Sequence, residues 1–502
     1  MARKTLVSWI VLLLLSAVCF AAQNPPLKVV MLSGSDEYKS DVSLPLFQKY
    51  LEARYNARCT VLQAKGDTDL PGLEALDRCD VALFFTRRLK IAGDQLERVK
   101  KYCESGRPIV GIRTASHGFQ NWLEFDKTVQ GGNYTGHFGN GPTQKVTIVP
   151  EAKKHPVLEG IAPTFRSVYS LYRAAPLASD CEPLMTGSTL VSSGTQPVAW
   201  TRMYKGARVF YTSLGGPQDF ENATFQRLIA NALFWCAKRP IETKELAPPL
   251  QRTKPSGQLR LILRGRKETA KGSNVWEQTM TERTVPVAET AILICDMWDR
   301  HWCGGAAKRC AALAEKMNVV VKAARAKGVQ IFHCPSDTMY FYTDWPQRRR
   351  MILAPAVASP KPLEISAPPL PIDDSDGGCD TGDKPSYAAW TRQIASIEIG
   401  EPDGISDSGA EVYNFLQKQG IRNLLIMGVH TNMCVLNRSF AIRQMTRWGI
   451  QCVLVRDLTD AMYDPKDRPF VSHDEGTELV VQHIEKYWCP STLSEELAAG
   501  LP

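Results

Sequence analysis

The segment Gly428-Val429-His430-Thr431-Asn432-Met433-Cys434-Val435 carries a cysteine where a thiol can act as a nucleophile. The apolar run Asn423 to Met427 reads as a buried strand, and a helical pattern follows from Cys434 to Trp448, stopping at Gly449. Cys434 is therefore expected at a helix N-terminus, just past the C-terminal end of a parallel strand. Unpaired N–H groups and the helix dipole at such a place favour a thiolate and can bind a developing oxyanion. The position also suits a cysteine that only packs, the commoner role of the residue.

The turn resembles the G-V-x-T-x-x-C-V signature of the isochorismatase-like cysteine hydrolases, the family that includes nicotinamidases. Ala291-Ile292-Leu293-Ile294-Cys295-Asp296-Met297-Trp298-Asp299 resembles that family's first strand, which ends in its catalytic aspartate. The resemblance covers Thr290 to about Cys489. It implies Cys434 as nucleophile and Asp296 as the acid that manages its proton. It also implies an oxyanion hole made by the backbone N–H groups of His430 and Cys434, with a cis peptide bond at Val429–His430. The family further needs a lysine that favours the charged forms. Counted back from the helix Ser408–Gln419, that position falls on Glu401, after the strand-like Ile397–Ile399, with Lys384 further upstream. A glutamate there raises the cost of ionising Asp296 and Cys434, although like acids can share a proton. Trp298, Tyr342 and Arg348, with Tyr340 and Trp345, surround the aspartate or follow the second strand, where they suit a substrate pocket or the core.

No metal and no cofactor is expected. The D-x-H of nicotinamidases is missing at Asp337-Thr338-Met339 and Asp344-Trp345-Pro346, and His301, His333 and Cys303 are scattered. The acidic run Asp373 to Asp380 lacks the glutamate at position twelve of an EF-hand loop, so it reads as a solvated loop rather than a calcium site.

The N-terminal half resembles the trehalose-utilisation (ThuA-like) branch of the class I glutamine-amidotransferase fold. The residues that carry this are Gly132-Asn133-Tyr134-Thr135-Gly136-His137, Pro197-Val198-Ala199-Trp200 and Gly206 to Gly215. The amidotransferase nucleophile elbow corresponds to Gly111-Ile112-Arg113-Thr114-Ala115-Ser116-His117, which has no cysteine. Arg113 and Gly216 stand where ThuA-like chains usually show histidine. Amidotransfer is thus not expected from this half, and a binding role, for a carbohydrate among others, fits as well as catalysis. Ser116 and His117 are neighbours in sequence, which does not make a dyad.

At 502 residues the chain exceeds one ordinary core. Buried runs at Leu27–Leu32, Cys59–Gln63, Val81–Phe85 and Ile109–Arg113 alternate with helical patterns at Leu44–Tyr55 and Gly93–Ser105, and the rhythm resumes from Thr290. The expected fold class is α/β: two three-layer domains, each with a mainly parallel sheet flanked by helices. Residues 27–240 form the first domain, 241–256 a Pro- and charge-rich linker, and 257–490 the second, with a Pro-rich insertion at 346–383. Met1 to Ala22, with a basic start and an apolar core, reads as a secretory signal peptide, so a secreted or periplasmic protein without a membrane span after processing is expected. Fourteen cysteines, one of them in that leader, leave an odd number, hence at least one unpaired thiol. A net charge of +8 without basic runs interleaved by aromatics gives no support to nucleic-acid binding. The expected activity is hydrolysis of a small amide or related acyl compound by Cys434; the alternative is a non-catalytic small-molecule or carbohydrate-binding protein with two degenerate sites. A small-molecule substrate is the expected partner, and self-association into a homo-oligomer stays open.

Overall fold

The computed structural model describes residues 24–244, 248, 252–384 and 388–502; the expected leader at Met1 to Ala22 lies outside them. Among the described residues no helix is long and apolar enough to cross a membrane.

Two separate sheets organise the chain. The first has nine strands in the order Ala57–Gln63, Leu27–Gly34, Val81–Thr86, Ile109–Ile112, Ala207–Thr212, Gln196–Tyr204, Glu182–Ser188, Gln144–Ile148, Thr164–Ser167. The first five are parallel. Their near-continuous apolar runs, such as the fully buried Val81–Thr86, suit strands covered on both faces. Helices Ser40–Arg54, Gly93–Glu104 and Ala223–Cys236 flank them. The remaining strands join antiparallel. That antiparallel wing escaped the sequence reading because short, polar segments such as Thr164–Ser167 carry little apolar pattern. The first sheet is accordingly mixed, a parallel half continued by an antiparallel one.

The second sheet has eight strands in the order Trp276–Pro286, Gln258–Glu268, Ser491–Thr492, Gln451–Asp460, Asn423–Val429, Thr290–Cys295, Gln330–Cys334, Gly404–Ile405. All pairings from Ser491–Thr492 onward are parallel, and an antiparallel hairpin, Gln258–Glu268 with Trp276–Pro286, extends the edge. The third strand of the parallel set is Gly404–Ile405 and not Ile397–Ile399, which has no strand pairing; Ile397 packs instead beneath the helix Gly304–Ala326. The insertion opens with a helix, Pro346–Ile352, because proline is well tolerated at a first helical position. Beyond it the chain runs without regular structure, anchored to the core by Ile372 and Cys379.

Asn423–Val429 and Thr290–Cys295 are neighbours, with Cys295 opposite Gly428. Gly428 has φ +124°, and an added Cβ there would lie 2.0 Å from the Cys295 carbonyl oxygen. Only glycine lets the two strand ends approach this closely. We expect Gly428→Ala to destabilise the C-terminal domain by at least about 3 kcal/mol, through backbone strain and a backbone clash together; chemical denaturation measures it, and a loss below about 1 kcal/mol would contradict the packing.

The two domains touch along a polar seam. Buried Asp344 of the second domain accepts from Arg227 Nη2 at 2.7 Å and from the Tyr50 hydroxyl at 3.4 Å, both of the first, while Arg54 bonds its carbonyl. Thr143 donates to the Ala389 carbonyl at 2.8 Å, and Arg166 to the Trp390 and Asp337 carbonyls at 3.1 and 3.3 Å.

Candidate active site

The register of the two central strands brings Asp296 and Cys434 together. Asp296 ends its strand with φ +46°, a left-handed conformation that aspartate tolerates better than most residues. Its side chain is fully buried. One carboxylate oxygen accepts the Ser336 N–H at 2.7 Å, the other Arg438 Nε at 2.9 Å. Cys434 is half-buried beside Asp296, whose charge acts on its thiol. The Val429–His430 peptide is cis, and the His430 N–H points at the Cys434 sulfur.

The helix after Cys434 is shorter than its pattern suggested. It spans only Cys434–Asn437, and a second helix, Ile442–Arg447, starts after a four-residue bend. The cause is tertiary. Gly409 packs its backbone on Ser439, where a Cβ would meet the Ser439 carbonyl at 2.0 Å, and its N–H donates to Ser439 Oγ at 3.0 Å. Phe440 is thereby driven into the core, and Arg438 turns back over Asp296. One helical turn has a weak dipole, so the expected resting thiolate is not supported. Burial above all, and then the Asp296 carboxylate, push the Cys434 thiol up to about 12, against the pull of Arg438 and the His430 N–H. Burial likewise raises Asp296, opposed first by Arg438. At rest the site sets a thiol beside Asp296, with the Arg438 guanidinium paired to the acid.

Glu401 takes no part in this. It is exposed and lines a cleft with Arg252, Arg325 and Gln330, the last at the start of a strand whose far end faces the site. The count back from Ser408–Gln419 placed it after the strand-like Ile397–Ile399, whereas the strand there is Gly404–Ile405. Lys384 is exposed on that insertion. Arg438, four residues after Cys434, is the cation beside Asp296; the i, i+4 spacing was readable, but only the bend aims it there. Glu401→Gln is expected to leave any Cys434-dependent turnover unchanged, and a large loss would return Glu401 to the site.

Of the expected pocket residues, Trp298 lies beside the site. It stacks on Trp390 at 4.0 Å and donates its indole N–H to the Ser336 carbonyl at 3.1 Å. With Asp296, His301, Cys310, Val429 and His430 it lines a cavity of about 50 Å³. The His430 imidazole is buried beside His301 at 5.0 Å, its Nε2 has no hydrogen-bond partner, and burial holds it down to about 3, so it is neutral. Tyr342 is fully buried, its hydroxyl accepting the Gln393 N–H at 2.8 Å, and Arg348 is engaged with Glu411 and the Ile405 carbonyl. Neither lines the cavity beside Asp296. His333 is bound between Gln393 and Asp403 at 2.9 Å each. In the acidic run each carboxylate is used singly: Asp373 and Asp376 cap turns, Asp374 accepts from Asn432, and Asp380 pairs with Arg309.

In the first domain Arg113 ends its strand with φ +46°, occupying the elbow. Its fully buried guanidinium lies over the rings of Tyr38, Tyr172 and Tyr169 at 4.2, 4.7 and 5.4 Å and donates to the Ser213 carbonyl at 2.8 Å. Ser116 and His117 do meet, Oγ to Nδ1 at 3.0 Å, but the imidazole stacks on Tyr134 and burial with Arg88, Arg87 and Arg113 pushes it down to about 3. Tyr169 fills the space a side chain at Gly216 would need.

A family model described as trehalose utilisation (ThuA) matches residues 28–236, and one described as isochorismatase domain matches residues 290–471. Among solved structures, a ThuA-like protein from Parabacteroides merdae is 18% identical, with 44% of this chain and 93% of that one covered and a TM-score of 0.37. A cysteine hydrolase from Pseudomonas syringae pv. phaseolicola is 16% identical over 43% of this chain and 94% of that one, with a TM-score of 0.29. An isochorismatase from Pseudomonas putida is 13% identical over 42% and 91%, with a TM-score of 0.26. None of the curated proteins compared matches the chain. The chain thus joins a segment that matches the ThuA family model to one that matches the isochorismatase-domain model.

Proposed function

We propose that the C-terminal domain hydrolyses a small amide or related acyl compound through a thioester at Cys434. The observation that carries this reading is the convergence of Cys434, Asp296 and Arg438 at two adjacent strand ends. As the sulfur bonds to the substrate carbonyl carbon, its proton passes to Asp296. The carbonyl oxygen takes up the electron pair and is held by the His430 and Cys434 N–H groups. Asp296 returns the proton to the leaving amine as the C–N bond breaks, then takes a proton from the water that attacks the thioester and passes it to the Cys434 sulfur as the C–S bond breaks. Arg438 stays charged throughout and offsets the buried carboxylate. For the N-terminal domain, Arg113 filling the elbow favours a non-catalytic role. Export follows from the pattern of Met1 to Ala22, and the mass of the mature protein in its native fraction tests it.

The pH dependence of Cys434 alkylation, followed site by site by mass spectrometry, tests the proton arrangement. Labelling is expected to be slow at pH 8 and to rise steeply toward high pH. Asp296→Asn removes the negative charge that disfavours the thiolate, so it lowers the thiol pKa and speeds alkylation at pH 8, while abolishing turnover. Slower labelling in that variant would mean that Asp296 does not hold the thiol proton.

A further inference from the structure

Beside the Cys434 turn, a second group of side chains converges that the proposed mechanism does not use. Cys303 precedes the helix Gly304–Ala326, and Cys379 and Asp383 belong to the insertion. Their sulfur and carboxylate atoms all lie within 4.8 Å of one another. Both cysteines are buried and in contact with each other as free thiols. Thr381 Oγ1 sits 3.6 Å from one sulfur and 3.4 Å from the other.

We propose that Cys303, Cys379 and Asp383 bind a thiophilic divalent cation of the zinc type. Ligand atoms around a tetrahedral zinc, with arms of about 2.0–2.3 Å, are separated by roughly 3.3–3.8 Å, so small side-chain shifts bring the three donors into place, with water as the fourth ligand. Two sulfurs and one carboxylate match the soft-plus-hard donor set that zinc accepts and that calcium and magnesium do not. Binding releases the two thiol protons to solvent and joins a dication to two thiolates and a carboxylate. The resulting single negative charge faces the N-terminus of a 23-residue helix, whose Gly304 N–H already donates to Asp383 at 2.9 Å. Arg309 nearby adds no repulsion, because Asp380 and Asp460 both pair with it.

The consequence is mechanical. The cation would clamp the insertion to the segment that follows Asp296, Trp298 and His301. Met433, next to Cys434, packs against the small apolar cluster that holds both cysteines.

The test uses the full mature chain, reduced and stripped of metal, titrated with Co²⁺ and then Zn²⁺. One equivalent of Co²⁺ should give near-ultraviolet thiolate-to-metal absorption with tetrahedral visible bands, and Zn²⁺ should displace it. Cys303→Ser with Cys379→Ser should abolish the signal, Asp383→Asn should weaken it, and Cys434→Ala should leave it intact. Where the double variant fails to fold, protection of Cys303 and Cys379 from alkylation by Zn²⁺ in the unaltered chain gives the same reading. Absence of stoichiometric binding, a signal that survives the double variant, or a native mass and peptide map showing Cys303 joined to Cys379 would overturn the proposal.

Discussion

Cys434→Ala is expected to lower turnover of small amides by on the order of 10⁴-fold or more, since removing the nucleophile removes the covalent route entirely. The fold should survive. Cys434 is half-buried at the edge of the core, so the lost sulfur costs about 1 kcal/mol. A panel of small amides and activated esters provides the measurement, with mass spectrometry to trap the acyl-enzyme at +the acyl mass on Cys434. An alanine variant that keeps its turnover would end the cysteine-hydrolase reading. So would an unaltered chain that neither turns over nor acylates.

Arg438→Met is expected to cost about 10²–10³-fold, the usual scale for deleting one preorganised charge partner. Its signature lies in the pH profile. Arg438 lowers both Asp296 and Cys434. Without it the Asp296 carboxylate protonates at higher pH, so the acid limb of kcat/KM moves upward, and Cys434 alkylation at a given pH slows further. Arg438→Lys keeps the charge on a flexible point donor and should recover part of the rate. A methionine variant with an unmoved acid limb would mean that Arg438 merely packs over the site.

The two halves differ in how legible they were. Every parallel strand near Asp296 and Cys434 except Gly404–Ile405 announced itself as an apolar run, and Gly420 and Gly449 marked helix ends. The antiparallel wing of the first sheet did not, because its residues alternate with loop formers and gain their burial only from neighbours. Likewise the Pro-rich insertion hid the third strand, and with it the count that selected Glu401.

By itself the sequence placed Asp296 and Cys434, in that order, at the ends of two buried strands. An acid closing one buried strand and a cysteine closing another need only local pattern, since strand ends follow from short-range hydrophobic runs. The cation belonged to the tertiary structure alone. Electrostatic partnership acts through space, and Arg438 meets Asp296 only because Gly409 and Phe440 bend the chain between two helices. The same holds for Cys303, Cys379 and Asp383, which no spacing rule links and which one turn of the insertion brings within reach of a single ion.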